Sequence, residues 1–96
     1  MQIKWLNRAL LNLKHEAEYI AQHDPAAARI VVQRIYAVVN QLVDHPALGR
    51  PGRIHGTHEL IIPDTHYLIP YRVRPRLKQI EILCVFHTSR RLPKNW

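Results

Sequence analysis

Cysteine is nearly absent from this chain: Cys84 is the only one in 96 residues. An intramolecular disulfide is therefore excluded, and packing and hydrogen bonds must hold the fold. Cys84 lies in the apolar run IEILCVF, where a thiol acts as a small hydrophobe and no feature of its setting suggests activation. Long apolar runs are missing too. No stretch approaches the ~20 apolar residues that a membrane-crossing helix needs. The opening segment MQIKWLNRAL also lacks the apolar centre of a signal peptide. A reducing cytoplasm, away from membranes, is the expected setting. Acidic residues are scarce as well, with seven Asp and Glu against fourteen Lys and Arg, for a net charge of +7.

What is present is distributed unevenly. Residues 1–48 hold five basic and four acidic side chains, a net +1, whereas residues 49–96 hold nine and three, a net +6. Ten of the fourteen cations are arginine. A positive half-domain attracts a polyanion, either nucleic acid or an acidic protein, by long-range steering. Hydrophobic residues make up 47% of the chain, enough for one core, and the length fits one domain spanning 1–96. A domain this small buries only somewhat over ~60% of its unfolded surface, so a partner that covers it adds to its stability.

The hydrophobic period changes once, near residue 50. Gln2–Trp5 alternates as a short strand does. Asn7 is a candidate cap for a helix running to about residue 23, with Leu10, Leu13, Ala17 and Ile20 as its apolar stripe. Asp24-Pro25 restarts a second helix, the Asp as cap and the Pro at the first helical position. Its stripe is Ala28, Val31, Ile35, Val38 and Leu42, widened by Val32, Tyr36, Val39 and Val43, and Pro46 ends it. Three strand-like runs follow: Ile54 to Ile62, His66 to Arg74 and Leu77 to His87. Pro63-Asp64-Thr65 is a turn between the first two. The last run alternates Ile80, Ile82, Cys84 and Phe86 against Glu81, Leu83, Val85 and His87, and its apolar faces suggest a central strand. Pro70 cannot donate to a ladder, so a bulge or an unpaired position is expected there. The expected class is α+β: an N-terminal strand, an antiparallel α-helical hairpin and a three-stranded antiparallel meander.

Several segments, taken in order, carry a family likeness. They are Asp24-Pro25-Ala26-Ala27-Ala28, then Leu48–Ile54 with Gly56–Leu60, then Leu68-Ile69-Pro70-Tyr71-Arg72-Val73. Ile80-Glu81-Ile82-Leu83 with Phe86-His87 and Arg90-Arg91 closes the set. Together they resemble the RelE/ParE superfamily of type II toxin–antitoxin systems, over essentially the whole chain. The resemblance implies a toxin that arrests growth and is neutralised by a cognate antitoxin in a hetero-oligomer. The antitoxin would bring an acidic, partly disordered segment that folds as it binds. Two activities live on this scaffold: ribosome-dependent cleavage of messenger RNA in RelE-like members, and inhibition of DNA gyrase in ParE-like members. A shared fold does not choose between them. A plain nucleic-acid-binding module without toxicity is a third alternative.

RNA cleavage through the 2′-hydroxyl needs a base, an acid and a cation for the pentavalent phosphate. By resemblance Arg72 is the phosphate-facing arginine and His87 the strand-end histidine, catalytic only in a ribonuclease. Arg50, Arg53, Arg74, Arg90 and Arg91 are candidate contacts to target or phosphate. Bland roles stand beside these: Arg72 paired with Glu81, His87 as packing, Tyr71 as core. The loop that carries a catalytic carboxylate in some ribonuclease members has only Arg, Pro, Gly and His here, and the tail has no matching tyrosine. The incomplete set favours a ParE-like inhibitor. For the antitoxin, Val32, Tyr36, Val39, Val43 and Trp96 are the candidate contacts. No cofactor is expected, and no metal: His55 and His58, three apart in a strand, would face opposite ways.

Overall fold

The computed structural model describes residues 1–91, Lys94 and Trp96. The chain opens with strand β1 (Gln2–Trp5), followed by helices α1 (Asn7–Ala21) and α2 (Pro25–Asn40). Strands β2 (Arg50–Pro51), β3 (His58–Ile61), β4 (Tyr67–Arg74), β5 (Gln79–Ile82) and β6 (Phe86–His87) complete it. The sheet order is β1-β5-β4-β3-β2, with β6 also on β4. The meander is antiparallel, and β1 closes it in parallel against β5, Ile3 beside Ile80 and Trp5 beside Ile82. The expected class and element order hold.

The local reasons are mostly those expected. Asp24 Oδ1 accepts from the Ala27 amide at 3.1 Å, and Pro25 starts α2 where its missing N–H costs nothing. Asn7, in contrast, is the first helical residue rather than a cap, and Leu6 makes the turn without a side-chain bond. Leu6 instead ties α1 to the sheet, its amide donating to Ile82 O at 3.1 Å. The inward face of α1 is Ala9, Leu13 and Glu16, with Ile20 packed at its end, while Leu10 is exposed. The first strand-like run is shorter than expected. Residues 52–57 form a turn closed by Gly52 N to Thr57 O at 2.8 Å, so His55 lies outside any strand. The Pro63–Thr65 turn stands, with Asp64 left-handed at φ 60°.

One core lies between the hairpin and one face of the sheet. Ile35, Val39 and Leu42 meet Leu60, Ile69, Tyr71 and Ile80 there. Each fully buried side chain of this size contributes about 1.5–3 kcal/mol by leaving water. Tyr71 carries a polar end into this core. Its hydroxyl donates to Pro46 O at 2.8 Å and accepts from Gly49 N at 2.9 Å. A Cβ at Gly49 would stand 2.7 Å from the Tyr71 ring, so the approach requires glycine. This anchor sets the chain onto β2, where Arg50 pairs with Glu59.

The last strand is interrupted opposite Pro70. Tyr71 pairs with Ile82 and Leu68 with Phe86, so Ile69 and Pro70 face three residues, Leu83, Cys84 and Val85. Pro70 keeps its place against Glu59 on β3, and its carbonyl accepts from Leu83 N at 2.9 Å. It has no N–H to return the bond. The expected bulge therefore falls in the strand facing Pro70, and the extra residue reverses which side chains point where.

Candidate functional site

The hairpin covers one face of the sheet. Along β4, Tyr67, Ile69, Tyr71 and Val73 point into the hairpin core, so Leu68, Pro70, Arg72 and Arg74 point to the outer face. Arg72 crosses to its register partner Glu81, with Nε at 3.0 Å and Nη2 at 2.7 Å from Oε1. Arg74 Nε reaches the same oxygen at 3.2 Å. The carboxylate is sunk beneath the two guanidiniums, 10% exposed against 40% and 47%. The hydrogen bonds from Arg72 hold the Glu81 carboxyl below its ordinary range, against the opposing effect of burial. A second acid is handled in the same way. Glu59, buried, accepts from Arg50 Nη2 at 3.3 Å and from the Arg53 amide at 2.9 Å. The outer face thus hides its acids and presents its cations.

His87 lies on the other side. It pairs with Tyr67 and meets that ring edge-on at 5.2 Å. Without the extra residue at Leu83–Val85 it would share the face of Glu81, as its alternation with Glu81 suggested. The bulge turns it toward the hairpin. Arg72 and His87 are also five register positions apart along β4, roughly 17 Å at about 3.3 Å per residue. The two candidate catalytic residues are not brought together. Burial chiefly, helped by the Arg90 charge, lowers the His87 pKa and favours the neutral ring. Ser89 N donates to Nδ1 at 3.2 Å, which leaves the proton on Nε2.

Around His87 is a polar cleft of about 460 Å³ between hairpin and sheet, lined among others by Tyr19, His66, Tyr67 and Arg90. Two of these residues, Tyr67 and Arg90, are bonded to Glu16, which is buried in α1. Its Oε1 accepts from the Tyr67 hydroxyl at 3.1 Å and its Oε2 from Arg90 Nη1 at 2.8 Å. Burial, then the Glu16 charge, pushes the Tyr67 phenol up to about 12. Arg90, expected to contact a target, is therefore engaged within the chain, and Arg91 is exposed. Glu16 lies outside the stripe of Leu10, Leu13, Ala17 and Ile20 expected for this helix, yet it is buried. The spacing of Ala9, Leu13, Glu16 and Ile20, one helical face, carries the signal that finds it.

The antitoxin candidates divide. Val39 is a correction: it is fully buried in the core, because its position on α2 turns toward the sheet beside Ile35. Val32 is partly buried against the core, while Tyr36 and Val43 are exposed. Tyr36 packs against Trp5 with the rings tilted and their centres 5.2 Å apart. Trp96 packs edge-on against Phe86 at 5.4 Å, and the Arg53 guanidinium lies 5.1 Å above its ring. Of the expected tail contact, positions 92, 93 and 95 lie outside the described residues. Among the described residues, no three His, Cys, Asp or Glu side chains gather as a metal site would need. No helix there is long and apolar enough to cross a membrane.

Comparison with known proteins fits this architecture. The family described as "ParE toxin of type II toxin-antitoxin system, parDE" matches residues 3–92. A putative toxin Y4kP of Sinorhizobium fredii is 44% identical over 97% of this chain and 94% of its own. Toxin RelE2 of Caulobacter vibrioides is 29% identical over 93% and 97%. A solved structure, the chromosomal ParDE system from P. aeruginosa, superposes with a TM-score of 0.79 at 29% identity, covering 91% of this chain and 95% of the other. The chain belongs to the ParE toxin family of type II toxin–antitoxin systems.

Proposed function

We propose that this toxin arrests growth as a ParE-like inhibitor of DNA gyrase, acting in the cytoplasm by binding and not by cutting RNA. The observation that carries the reading is the separation of Arg72 from His87. Transesterification at one phosphate needs its proton-transfer group and its cation within contact of the same few atoms. Here they stand on opposite faces of a sheet, Arg72 spent on Glu81 and His87 lining the cleft beside Tyr67 and Arg90. In this reading Arg50, Arg53 and Arg74, with Arg72, belong to a target-facing surface.

An antitoxin partner follows from the family. Its acidic segment would fold onto the toxin, with Tyr36, Val43, Val32 and Trp96 as the remaining candidate contacts, in a hetero-oligomer. The toxin purified from its antitoxin complex provides the test. It should block supercoiling of relaxed plasmid by gyrase and leave messages whole in a translating extract. Normal supercoiling at excess toxin would overturn the gyrase reading. Codon-positioned cuts lost in Arg72→Ala or His87→Ala would replace it with the RelE-like one.

A further inference from the structure

We infer that Trp96 is a positioning residue: its ring directs the Arg53 guanidinium on the outer sheet face without neutralising it. The inference rests on the reading that Arg53 belongs to the target-facing surface, and not on which target that surface meets. The other arginines paired in the structure are steered by carboxylates. Arg50 leans on Glu59, Arg72 and Arg74 on Glu81, and Arg90 on Glu16. Such a pair holds a guanidinium but offsets its charge with an equal one. Arg53 is handled differently. Its amide donates to Glu59 Oε2 at 2.9 Å, which anchors the backbone. Among the described residues its guanidinium meets no carboxylate. It lies instead over the Trp96 ring, 5.1 Å from the centroid. The face of an indole is the negative part of its quadrupole, so it attracts a cation within about 6 Å and leaves the charge whole. Arg53 is exposed, so that charge stays available to a partner.

The ring is itself seated. Leu68 points to the outer face, Phe86 is its register partner, and the two form a buried cluster with Cys84. Trp96 packs on that cluster, edge-on to Phe86 with ring centres 5.4 Å apart. Its Nε1 is buried and has no hydrogen-bond partner among the described residues. Packing and the cation therefore hold the indole. That separates two roles for Trp96. Phe in its place keeps a ring face and gives up no hydrogen bond. Leu keeps apolar bulk over the cluster and gives up the face. A residue that only fills space tolerates Leu; one that steers a cation does not.

The test uses the purified toxin in the supercoiling assay, and growth arrest on induction without antitoxin. The second readout needs no assumption about the target. An exposed cation–π contact biases its arginine by about two- to fivefold in population, so Trp96→Leu should weaken the toxin by about that factor. Trp96→Phe should recover most of the loss. Arg53→Ala should weaken it at least as much, and W96L/R53A should be no weaker than Arg53→Ala alone. Circular dichroism checks that each variant is folded. In a Trp5→Phe background Trp96 is the sole indole. There Arg53→Ala should raise its quenching by acrylamide, because the guanidinium no longer covers one face. A folded Trp96→Leu as potent as the parent overturns the inference, and so does a Trp96→Phe as weak as Trp96→Leu. A further loss in the double variant overturns it too, since Trp96 would then act through other neighbours. Quenching that Arg53→Ala leaves unchanged does the same, whatever the toxicity. A parent that arrests growth but leaves supercoiling untouched sinks the gyrase reading alone.

Discussion

Replacing Tyr71 by Phe deletes one oxygen from a hydrogen-bond junction at the edge of the core. The ring stays, so packing is kept and the transfer of apolar area is nearly unchanged. What is lost is the acceptor for Gly49 N and the donor to Pro46 O, at 2.9 and 2.8 Å. Gly49 is buried and has no water to turn to, and a stranded buried amide costs about 1–3 kcal/mol. Pro46 is only half-buried and its carbonyl adds little. The sum is about 2 kcal/mol. At about 4–8 °C per kcal/mol for a domain of this size, Tm should fall by about 8–16 °C. In urea the midpoint should drop with an unchanged m-value, since no extra surface is exposed. Hydrogen exchange should show the Gly49 amide losing protection before Ile80 does. A Tm within about 2 °C of the parent would refute the reasoning, because it would mean that Gly49 N finds another acceptor at no cost.

Two further outcomes follow from the buried acids. Glu81 ionises more readily folded than unfolded, so it contributes stability above its ordinary value of about 4.5 and loses it as pH falls through the lowered folded value. The thermal midpoint should therefore decline in acid, and Glu81→Gln should blunt that decline; an identical acid profile would count against the pairing. A double-mutant cycle of Arg90→Ala and Glu16→Gln should give a coupling of about 1 kcal/mol, modest because Arg90 is half exposed while Glu16 is not. Zero coupling would mean that the bond seen at 2.8 Å does not persist in solution.

Much of the fold was legible in the residues because local signals agreed with one another. Asp24-Pro25 marked the hairpin, the change of period marked the sheet, and Pro70 announced a break in the ladder. What stayed hidden depended on register. Alternation read straight through Ile80–His87 put His87 beside Glu81, and one extra residue among Leu83–Val85 reverses that. Nothing in these eight apolar-rich positions says where the count slips. The partner of Pro70 becomes visible only when strands are paired. Glu16 was lost for a different reason. A charged residue between apolar ones reads as solvent-facing unless its partners are known, and these are Tyr67 and Arg90, 51 and 74 positions away. Val39 was misplaced because a stripe this wide on α2 does not reveal which edge is covered.

The parallel pairing of β1 with β5 has a consequence for how the protein is made. Gln2 meets Gln79, 77 positions later, so β1 must wait for β5 to leave the ribosome. The helical hairpin can form early, but it gains its floor only when residues 67–82 have emerged. A chain stopped short of that point lacks both the central junction at Tyr71 and the arginine face. Synthesis itself therefore delays the toxin: the sheet comes into being only once β5 has emerged, when an antitoxin already present can take hold of the chain.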